Sequence, residues 1–272
     1  MKIGNRIFDT ENECYIMGIL NVTPDSFSDG GRWNKLDNAR DHTRQMILEG
    51  ASIIDIGGES TRPGHVQIST QEEIDRVVPM IRMVKENFDI PVSIDSYKGE
   101  VVQAALEAGA DMVNDIWGLK YDSRVAELIA RFQVPCCLMH NRKQPCYQDY
   151  LKDVVSDLRE SLDIAKKAGI RDEQIILDPG VGFGKTYEQN LQIINHVEIL
   201  KDLGYPVLLA TSRKSVIGLS LDLPADERVE GTVVTTVMGV QKGCAFVRVH
   251  DVKENMRAIR MTKSILEERK HV

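Results

Sequence analysis

The sequence predicts one (β/α)8 barrel formed by a single domain, residues 1–272, and two regularities of the chain support this fold class. First, eight short, nearly continuous apolar runs recur along it, as expected for parallel strands covered on both faces. Second, the runs alternate with longer segments of helical spacing, and eight such alternations fit a chain of this length. A doubly wound parallel sheet is the alternative, because strand order cannot be read from the sequence.

The eight predicted strands are rich in β-branched and other apolar residues. They are CYIMGIL (14–20), SIIDIGG (52–58), PVSID (91–95), DMVNDI (111–116), VPCCLMH (134–140), QIILDP (174–179), PVLLAT (206–211) and AFVRVH (245–250). Since side chains alternate along a strand, the adjacent Cys136 and Cys137 are expected to face opposite sides of the fifth strand.

Several of the helical patterns between the strands end directly before a glycine. Glycine is common just after the last helical turn because it tolerates the left-handed conformation. The clearest predicted helices, each with the glycine that follows it, are 36–49 with Gly50, 98–108 with Gly109 and 149–168 with Gly169.

Composition and charge exclude several classes of protein. A net charge of −7 and an isoelectric point near 5.5 argue against nucleic acid or an anionic membrane as the main partner. The polar N-terminus predicts no signal peptide, and no apolar run approaches the ~20 residues of a membrane-spanning helix. The five cysteines have no C-x-x-C spacing, so we interpret them as reduced thiols of a cytoplasmic protein.

Polar residues follow or end all eight predicted strands. In a barrel the carboxyl ends of the strands converge on one mouth, where active sites lie. One polar terminus would be explained by a cap or a turn, but eight together predict a pocket. In strand order, these residues are Asn21; Glu59, Ser60, Thr61 and Arg62; Asp95; Asn114 and Asp115; His140 and Asn141; Asp178; Ser212, Arg213, Lys214 and Ser215; and Arg248 with His250.

Asp95, Asn114 and Asp178 have the chemistry needed to recognise a flat heterocycle. A carboxylate accepts two parallel N–H bonds from an amino-lactam edge, as found in guanine and pterin. The alternative for either aspartate alone is a helix N-cap at the end of a strand.

The segment DPGVGFGKT (178–186) resembles a phosphate-binding loop only in part. The pattern G-x-x-x-x-G-K-[ST] requires glycine where this chain has Pro179, so a nucleotide triphosphatase is not predicted. Its glycines would still allow close approach of the backbone to a ligand, and Thr186 is expected to cap the next helix.

Basic residues near the last two strands could form an anion site. Lys214 and Ser215 open a predicted helix, where a helix N-terminus attracts anions, although a solvated surface is the alternative. Arg248 and His250 alternate along one strand and so point the same way, and the mouth is favoured because burying arginine against the helix layer is costly. The histidines form no zinc pattern.

The loop NVTPDSFSDGG (21–31) leaves two interpretations open. It is either an ordinary surface loop punctuated by proline and glycine, or a mobile lid with an Mg²⁺–phosphate site.

Two long motifs, MGILNVTPDSFSDGG (17–31) and DIGGESTRPG (55–64), resemble the signatures of the dihydropteroate synthase family. Further blocks resemble the rest of that family's pattern, in order and spacing, over essentially the whole chain. These blocks are SIDSYK (93–98), VNDIWG (113–118), LMHNR (138–142), DPGVGFGKT (178–186), TSRKS (211–215) and VRVHD (247–251). The departures are small, Trp33 in the first loop and His65 after the second signature, and both lie in loops that could alter closure.

The resemblance implies condensation of a dihydropterin-methyl diphosphate with p-aminobenzoate, giving dihydropteroate and diphosphate. It implies Mg²⁺ as cofactor, a homodimer, and loops 21–35 and 59–70 that close over the site. The implied catalytic residues are Asp95, Asp178, Lys214 and Arg248. The implied binding residues are Asp95, Asn114, Asp178, Lys214 and Arg248 for the pterin; Asn21, Arg248 and His250 for diphosphate, with Asn21 near the metal; and Thr61, Arg62, Pro63, Phe183, Lys214 and Ser215 for p-aminobenzoate.

Two other classes stay open beside this expectation. A pterin-dependent methyltransferase of the same barrel family would need no diphosphate site, so Asn21, Arg248 and His250 argue against it. A non-catalytic pterin-binding protein would not need the full set of matched polar positions.

Overall fold

The computed structural model of the protein describes residues 1–22, 32–60 and 67–268, with side chains in the first helix described from residue 36. Within these ranges, eight parallel strands form the barrel, and a short antiparallel pair precedes them. The pair is β1 (Lys2–Ile3) and β2 (Arg6–Ile7). The barrel strands are β3 (Tyr15–Asn21), β4 (Ala51–Gly57), β5 (Val92–Asp95), β6 (Met112–Asp115), β7 (Cys136–Met139), β8 (Ile175–Asp178), β9 (Leu208–Leu209) and β10 (Phe246–Val249).

The strand order decides between the two predicted folds. Neighbours run β8-β7-β6-β5-β4-β3-β10-β9, and the order contains no reversal of the kind a doubly wound sheet requires. A parallel bridge between Leu177 and Val207 joins β8 to the residue before β9, and the amide of Leu177 donates to the carbonyl of Pro206 at 2.9 Å. The (β/α)8 prediction is confirmed, and the doubly wound alternative is wrong. That residues 1–272 form one domain stays a prediction.

Helices lie between the strands and cover the outside of the barrel. Each of the three predicted glycines follows its helix with a positive φ, +113° at Gly50, +106° at Gly109 and +89° at Gly169. The first helix begins earlier than its apolar pattern indicated, at Arg32. The helices are α1 (Arg32–Glu49), α2 (Thr70–Asn87), α3 (Gly99–Glu107), α4 (Arg124–Phe132), α5 (Tyr150–Ala168), α6 (Tyr187–Asn195), α7 (Ser215–Leu221), α8 (Val229–Gln241) and α9 (Val252–Leu266).

Along most of the barrel strands, alternate residues belong to two different cores. On β10, Val247 and Val249 pack outward against the helices, whereas Phe246 packs inside the barrel. The same alternation separates Cys136, in the outer core, from Cys137, in the inner one, so the prediction of opposite faces is confirmed.

The base of the barrel is closed by the N-terminal segment, which the sequence did not predict as strand. Ile3 and Phe8 bring this segment onto the inward-facing apolar residues of the strands. We call the resulting group the base cluster: Ile3, Phe8, Met17, Ile53, Met112, Cys137, Ile176, Leu208, Ala210, Ala245 and Phe246. Strands of two residues, as in β1 and β2, are too short to show period-2 alternation in a sequence.

None of the helices in the described ranges is long and apolar enough to cross a membrane.

Candidate active site at the barrel mouth

Arg248 lies at the centre of the barrel mouth and joins two strands across it. Its Nε donates to Oδ2 of Asp55 on β4, and its Nη2 donates to Oδ2 of Asp95 on β5, each at 2.6 Å. Asn114, on the neighbouring β6, donates to the same Asp55 oxygen at 3.4 Å. The structure therefore brings together three of the residues expected to hold a pterin.

Asp55 is a site residue that the sequence reasoning did not select. Its side chain is fully buried, and it is one of the two carboxylates that hold Arg248. The signal was present in the strand SIIDIGG, where a charged residue interrupts an otherwise apolar run. A single interruption does not reveal whether the residue faces a ligand or the helix layer, and the tertiary structure supplies that information.

Two carboxylate oxygens at this mouth are buried without a hydrogen-bond partner among the described residues. They are Oδ1 of Asp55 and Oδ1 of Asp95, whose other oxygens are occupied by Arg248. A buried acceptor without a donor costs on the order of 1–3 kcal/mol, so a ligand that supplies N–H donors here would offset that cost.

Burial and the neighbouring charges determine the protonation of this group. Burial raises the pKa of Asp95 to about 7, with the nearby Asp55 adding to the rise and Arg248 opposing it. Burial works against the charge of Arg248, but Asp55 and Asp95 together hold its pKa above the ordinary value. The guanidinium therefore stays charged, while Asp95 is poised to change its protonation near neutral pH.

Asp178, at the end of β8, lies near Lys214, which follows the neighbouring strand β9. Oδ1 of Asp178 accepts from the amide of Gly180 at 2.6 Å, and Nζ of Lys214 donates to the carbonyl of Val181. Burial raises the pKa of Asp178, with Lys214 opposing the rise. Burial lowers the pKa of Lys214 to about 8, with Asp178 opposing the fall.

The helix-cap alternative for the two aspartates is wrong. The N-cap of α3 is Lys98, not Asp95, and the N-cap of α6 is Thr186, not Asp178. Thr186 accepts from the amide of Gln189 at 3.3 Å, as its predicted capping role requires. Neither carboxylate is therefore occupied in capping a helix, and both are available for contacts at the barrel mouth.

An aromatic wall stands beside these charges. Phe183 and Trp117, both partly buried, pack on an apolar cluster that contains Ile116 and Met139. Nζ of Lys214 lies 4.8 Å from the centre of the Phe183 ring. A flat apolar wall next to a cation suits an aryl carboxylate.

The remaining predicted residues lie around the rim. His250 follows β10, and its Nδ1 is 2.9 Å from Oγ of Ser212. Ser215 is exposed at the first position of α7, directly after Lys214, so that pair does open a helix as predicted. Asn21 is the last residue of β3, where it pairs in register with Gly57.

Part of the predicted site lies outside the described residues. Thr61, Arg62 and Pro63 fall there, as do His65 and most of the loops expected to close over the mouth. Within the described ranges, no group of three or more histidine, cysteine or acidic residues is arranged to hold a metal ion.

Two glycines of segment 178–186 lie in close contact with another part of the backbone. Gly180 and Gly184 have φ of +68° and +53°, and both lie against the backbone that follows β7. A Cβ at Gly180 would lie 1.9 Å from the carbonyl oxygen of His140, and one at Gly184 would lie 2.1 Å from that of Arg142. At these two glycines the close approach is between two segments of the protein's own backbone.

Comparison with known proteins supplies the family. Residues 17–250 match the model of a family described as pterin binding enzyme. A dihydropteroate synthase from Clostridium beijerinckii is 60% identical over 267 residues, which cover 98% of this chain and 99% of the relative. This chain belongs to the dihydropteroate synthase family.

Solved structures of dihydropteroate synthases share the fold. One from Clostridium difficile, crystallised in the presence of pteroic acid, superposes with a TM-score of 0.93 at 50% identity, covering 95% of this chain and 99% of that one. Another, from Xanthomonas albilineans with 4-aminobenzoic acid, gives a TM-score of 0.90 at 39% identity and covers 94% of each chain.

Proposed function

We propose that the protein condenses 7,8-dihydropterin-6-ylmethyl diphosphate with p-aminobenzoate, giving 7,8-dihydropteroate and diphosphate. The observation that carries the proposal is the mouth itself, where buried carboxylates with unpartnered oxygens lie beside a cation and an aromatic wall. Family membership supports the same reaction, because relatives of high identity are dihydropteroate synthases.

The pterin is assigned to the interior of the mouth, between Asp95, Asn114 and Asp178. The free Oδ1 of Asp95 is an acceptor for the N–H groups of the pterin, and Asp178 is assigned the amino-lactam edge. Lys214 and Arg248 complete the set by holding the carboxylates in place and donating to ring acceptors.

Diphosphate is assigned to Asn21, Arg248 and His250, which lie on or directly after the neighbouring strands β3 and β10. Two of the five N–H donors of Arg248 are taken by Asp55 and Asp95, so donors are left for an anion. His250 is the rim residue of this set, and its partner Ser212 adds a hydroxyl beside it.

Magnesium is proposed near Asn21. Mg²⁺ keeps several water ligands and is bound by few protein oxygens together with substrate phosphates, so one amide oxygen plus diphosphate fits its preference. When bound, it would neutralise charge on the departing diphosphate. Asn21 would orient the diphosphate, and the described residues need supply no larger cage.

The residues of the mouth suit a reaction through a pterin-stabilised cation. The C–O bond to diphosphate breaks with its electron pair leaving on oxygen, and the amine nitrogen of p-aminobenzoate then bonds to the methylene carbon and loses a proton. Asp178, and Asp95 in its ionised form, supply negative charge near the cation. No covalent nucleophile from the protein is needed.

p-Aminobenzoate is assigned to the outer side of the mouth. Phe183 offers a flat apolar surface and Lys214 a cation 4.8 Å from it, with Ser215 exposed at the adjacent helix start. The sequence resemblance adds Thr61, Arg62 and Pro63 to this side, and their contribution stays a proposal.

The proposed partners are these small molecules and a second copy of the chain. Exposed apolar side chains on α7 and α8, among them Leu219 and Val234 with 69% and 58% of their surface accessible, favour a homodimer. Sedimentation equilibrium tests it, and a concentration-independent monomer would contradict it. All five cysteines are free thiols, which supports a cytoplasmic location.

The deciding experiment is turnover. The protein is incubated with both substrates and Mg²⁺, and dihydropteroate and diphosphate are measured together. We expect equal amounts of both products, and neither when one substrate is omitted. Absence of dihydropteroate, with methyl transfer from a reduced folate instead, would overturn the proposal in favour of a methyltransferase.

A further inference from the structure

Lys185 belongs to the Gly-Lys-Thr sequence that resembles part of a phosphate-binding loop, but its side chain turns inward. Its Nζ donates to the carbonyl of Gly180 at 2.8 Å and to that of Phe183 at 2.9 Å. A third acceptor, Nδ1 of His140, lies at 2.8 Å. A fourth, longer contact joins Nζ to the carbonyl oxygen of His140 at 3.4 Å. Burial lowers the pKa of Lys185 to about 7, with Asp178 opposing the fall, and the buried amine is surrounded by these acceptors.

His140 is held in the orientation that this contact requires. Its Nε2 lies 3.0 Å from Oδ2 of Asp157, and Arg142 donates to both oxygens of that carboxylate at 2.6 and 3.0 Å. Burial lowers the pKa of His140 to about 4, so the ring is neutral. With its proton on Nε2 toward Asp157, Nδ1 is left as the acceptor for Lys185.

The acceptors of Lys185 lie on two segments of chain. Residues 180–185, which we call the Phe183 turn, supply two carbonyls, and the segment after β7 supplies His140. The backbones of the two segments touch at Gly180 and Gly184, where only glycine fits. Lys185 therefore links two carbonyls within the Phe183 turn and joins the turn to the segment after β7.

The Phe183 turn carries part of the site wall. Phe183 packs with Trp117 on the apolar cluster at the mouth, and Nζ of Lys214 lies over its ring. Lys214 also donates to the carbonyl of Val181 in the same turn. A shift of the turn would therefore displace both the aromatic wall and the cation beside it.

We propose that Lys185 is a positioning residue that fixes the Phe183 turn and thereby shapes the p-aminobenzoate side of the site. It acts through Phe183 and Lys214 and does not touch substrate. The inference rests on the proposed function, and it assigns a role to a residue that lies outside the set expected to bind ligands.

Replacing the lysine should affect one substrate far more than the other. Lys185→Met replaces the lysine with a side chain of similar length that has no hydrogen-bond donors. The KM for p-aminobenzoate should rise about tenfold or more, because three hydrogen bonds that hold the turn are lost. Affinity for the unphosphorylated hydroxymethyl pterin, measured by calorimetry, should change by less than about twofold. Lys152→Met, on the exposed face of α5, is the matched control and should change neither value.

A spectroscopic measurement reports on the turn directly. The chain has two tryptophans, so a Trp33→Phe background leaves Trp117, which packs in the cluster with Phe183. In that background, Lys185→Met should move the Trp117 emission to longer wavelength as water reaches the wall. Lys185→Arg, which keeps a cation with N–H donors on a bulkier side chain, should recover part of the lost p-aminobenzoate affinity.

The outcomes separate this inference from the proposed function. Failure of the wild type to make dihydropteroate would overturn the function. A wild type that turns over, with Lys185→Met showing unchanged KM or an equal loss for pterin and p-aminobenzoate, would overturn the role of Lys185. If Lys185→Met does not fold, His140→Asn takes its place and should raise the KM for p-aminobenzoate about threefold with pterin affinity preserved.

Discussion

The base and the mouth of the barrel are built on the same strands, two residues apart. On β10, Phe246 faces the base and Arg248 the mouth, and on β4, Ile53 and Asp55 do the same. Inward-facing side chains recur every second residue, so each pair points into the same barrel at different heights. The remaining pairs of this kind are Met112 and Asn114 on β6, and Ile176 and Asp178 on β8.

The two layers differ in how the polar and apolar groups buried in them are satisfied. Side chains of the base cluster are apolar, so their burial needs no partner. At the mouth, buried charges are paired, but Asp55 and Asp95 each keep an oxygen without a donor, and burial raises the pKa of Asp95 and Asp178. We infer that apolar burial at the base stabilises the fold. The unpartnered carboxylate oxygens at the mouth lower its stability, and we infer that they are kept for ligand binding.

The largest effect should come from the base. Phe8→Ala removes an aromatic ring that is 3% exposed and packs on Tyr15 and Phe246, so unfolding free energy should fall by about 3–5 kcal/mol. Denaturant titration measures this, and kcat/KM of the folded enzyme should stay within about twofold. Ile7→Ala, at a neighbouring side chain that is 83% exposed, is the control and should change little. A large loss of kcat/KM in folded Phe8→Ala would show that the two layers are not separable.

Asp178→Asn, at the mouth, should have the opposite effect, weakening pterin binding while leaving stability nearly unchanged. Asparagine still accepts from Gly180 but presents an N–H where the pterin edge needs an acceptor, so about 1.5–3 kcal/mol of binding is lost. Calorimetry should show roughly tenfold or greater weakening of pterin binding, with stability lowered by no more than about 1 kcal/mol. Asp163→Asn, exposed on α5, should leave pterin affinity unchanged. Unchanged affinity in Asp178→Asn would remove this residue from the site.

His250→Ala separates the rim of the mouth from its interior. His250 lies beside Ser212, outside the group formed by Asp55, Asp95 and Arg248, so it should contact the diphosphate and not the ring. We expect about tenfold weaker binding of the pterin diphosphate and less than about twofold change for the unphosphorylated pterin. His196→Ala, at the end of α6, is the control. Equal losses for both ligands would rule out the diphosphate role.

The smallest effect should be a pH dependence that originates at Asp95. Because burial raises its pKa from 3.8 to about 7, its contribution to stability is greatest below about pH 4 and is lost as the pH rises through 7. Pterin binding has the opposite trend, because the carboxylate is the acceptor, and affinity for the unphosphorylated pterin should fall about fourfold from pH 8 to pH 6.5. Asp95→Asn should lose both trends, and a wild-type affinity that is flat over this range would contradict the assignment.

Local patterns in the sequence predicted much of the barrel. The apolar runs placed the strands to within one residue at most ends, because burial on both faces leaves a continuous signal. β9 is the exception, with 208–209 in place of 206–211, because Pro206 has no N–H to donate and Val207 makes only an isolated bridge to Leu177 of β8. The N-terminal pair β1 and β2 was missed because strands of two residues carry no periodicity.

The candidate site was predicted less completely than the fold. Polar residues at strand ends could be identified one strand at a time, and the family resemblance gave them roles. Asp55 was missed because a charged residue within an apolar strand has no local feature that distinguishes a mouth from a helix contact. The inward turn of Lys185 was equally hidden, since its partner His140 lies 45 residues away along the chain.

By itself, the sequence determined the alternation of strand and helix, the glycines that end helices, and the chemistry available at the strand ends. These are properties of residues close together in the chain, where spacing and side-chain type decide the outcome. Only the tertiary structure decided that Arg248 meets Asp55 and Asp95, whose positions in the chain are 193 and 153 residues away. Closing the barrel brings β10 beside β3. The pairing and the pKa values of these charged groups then depend on their distance in space and on their burial.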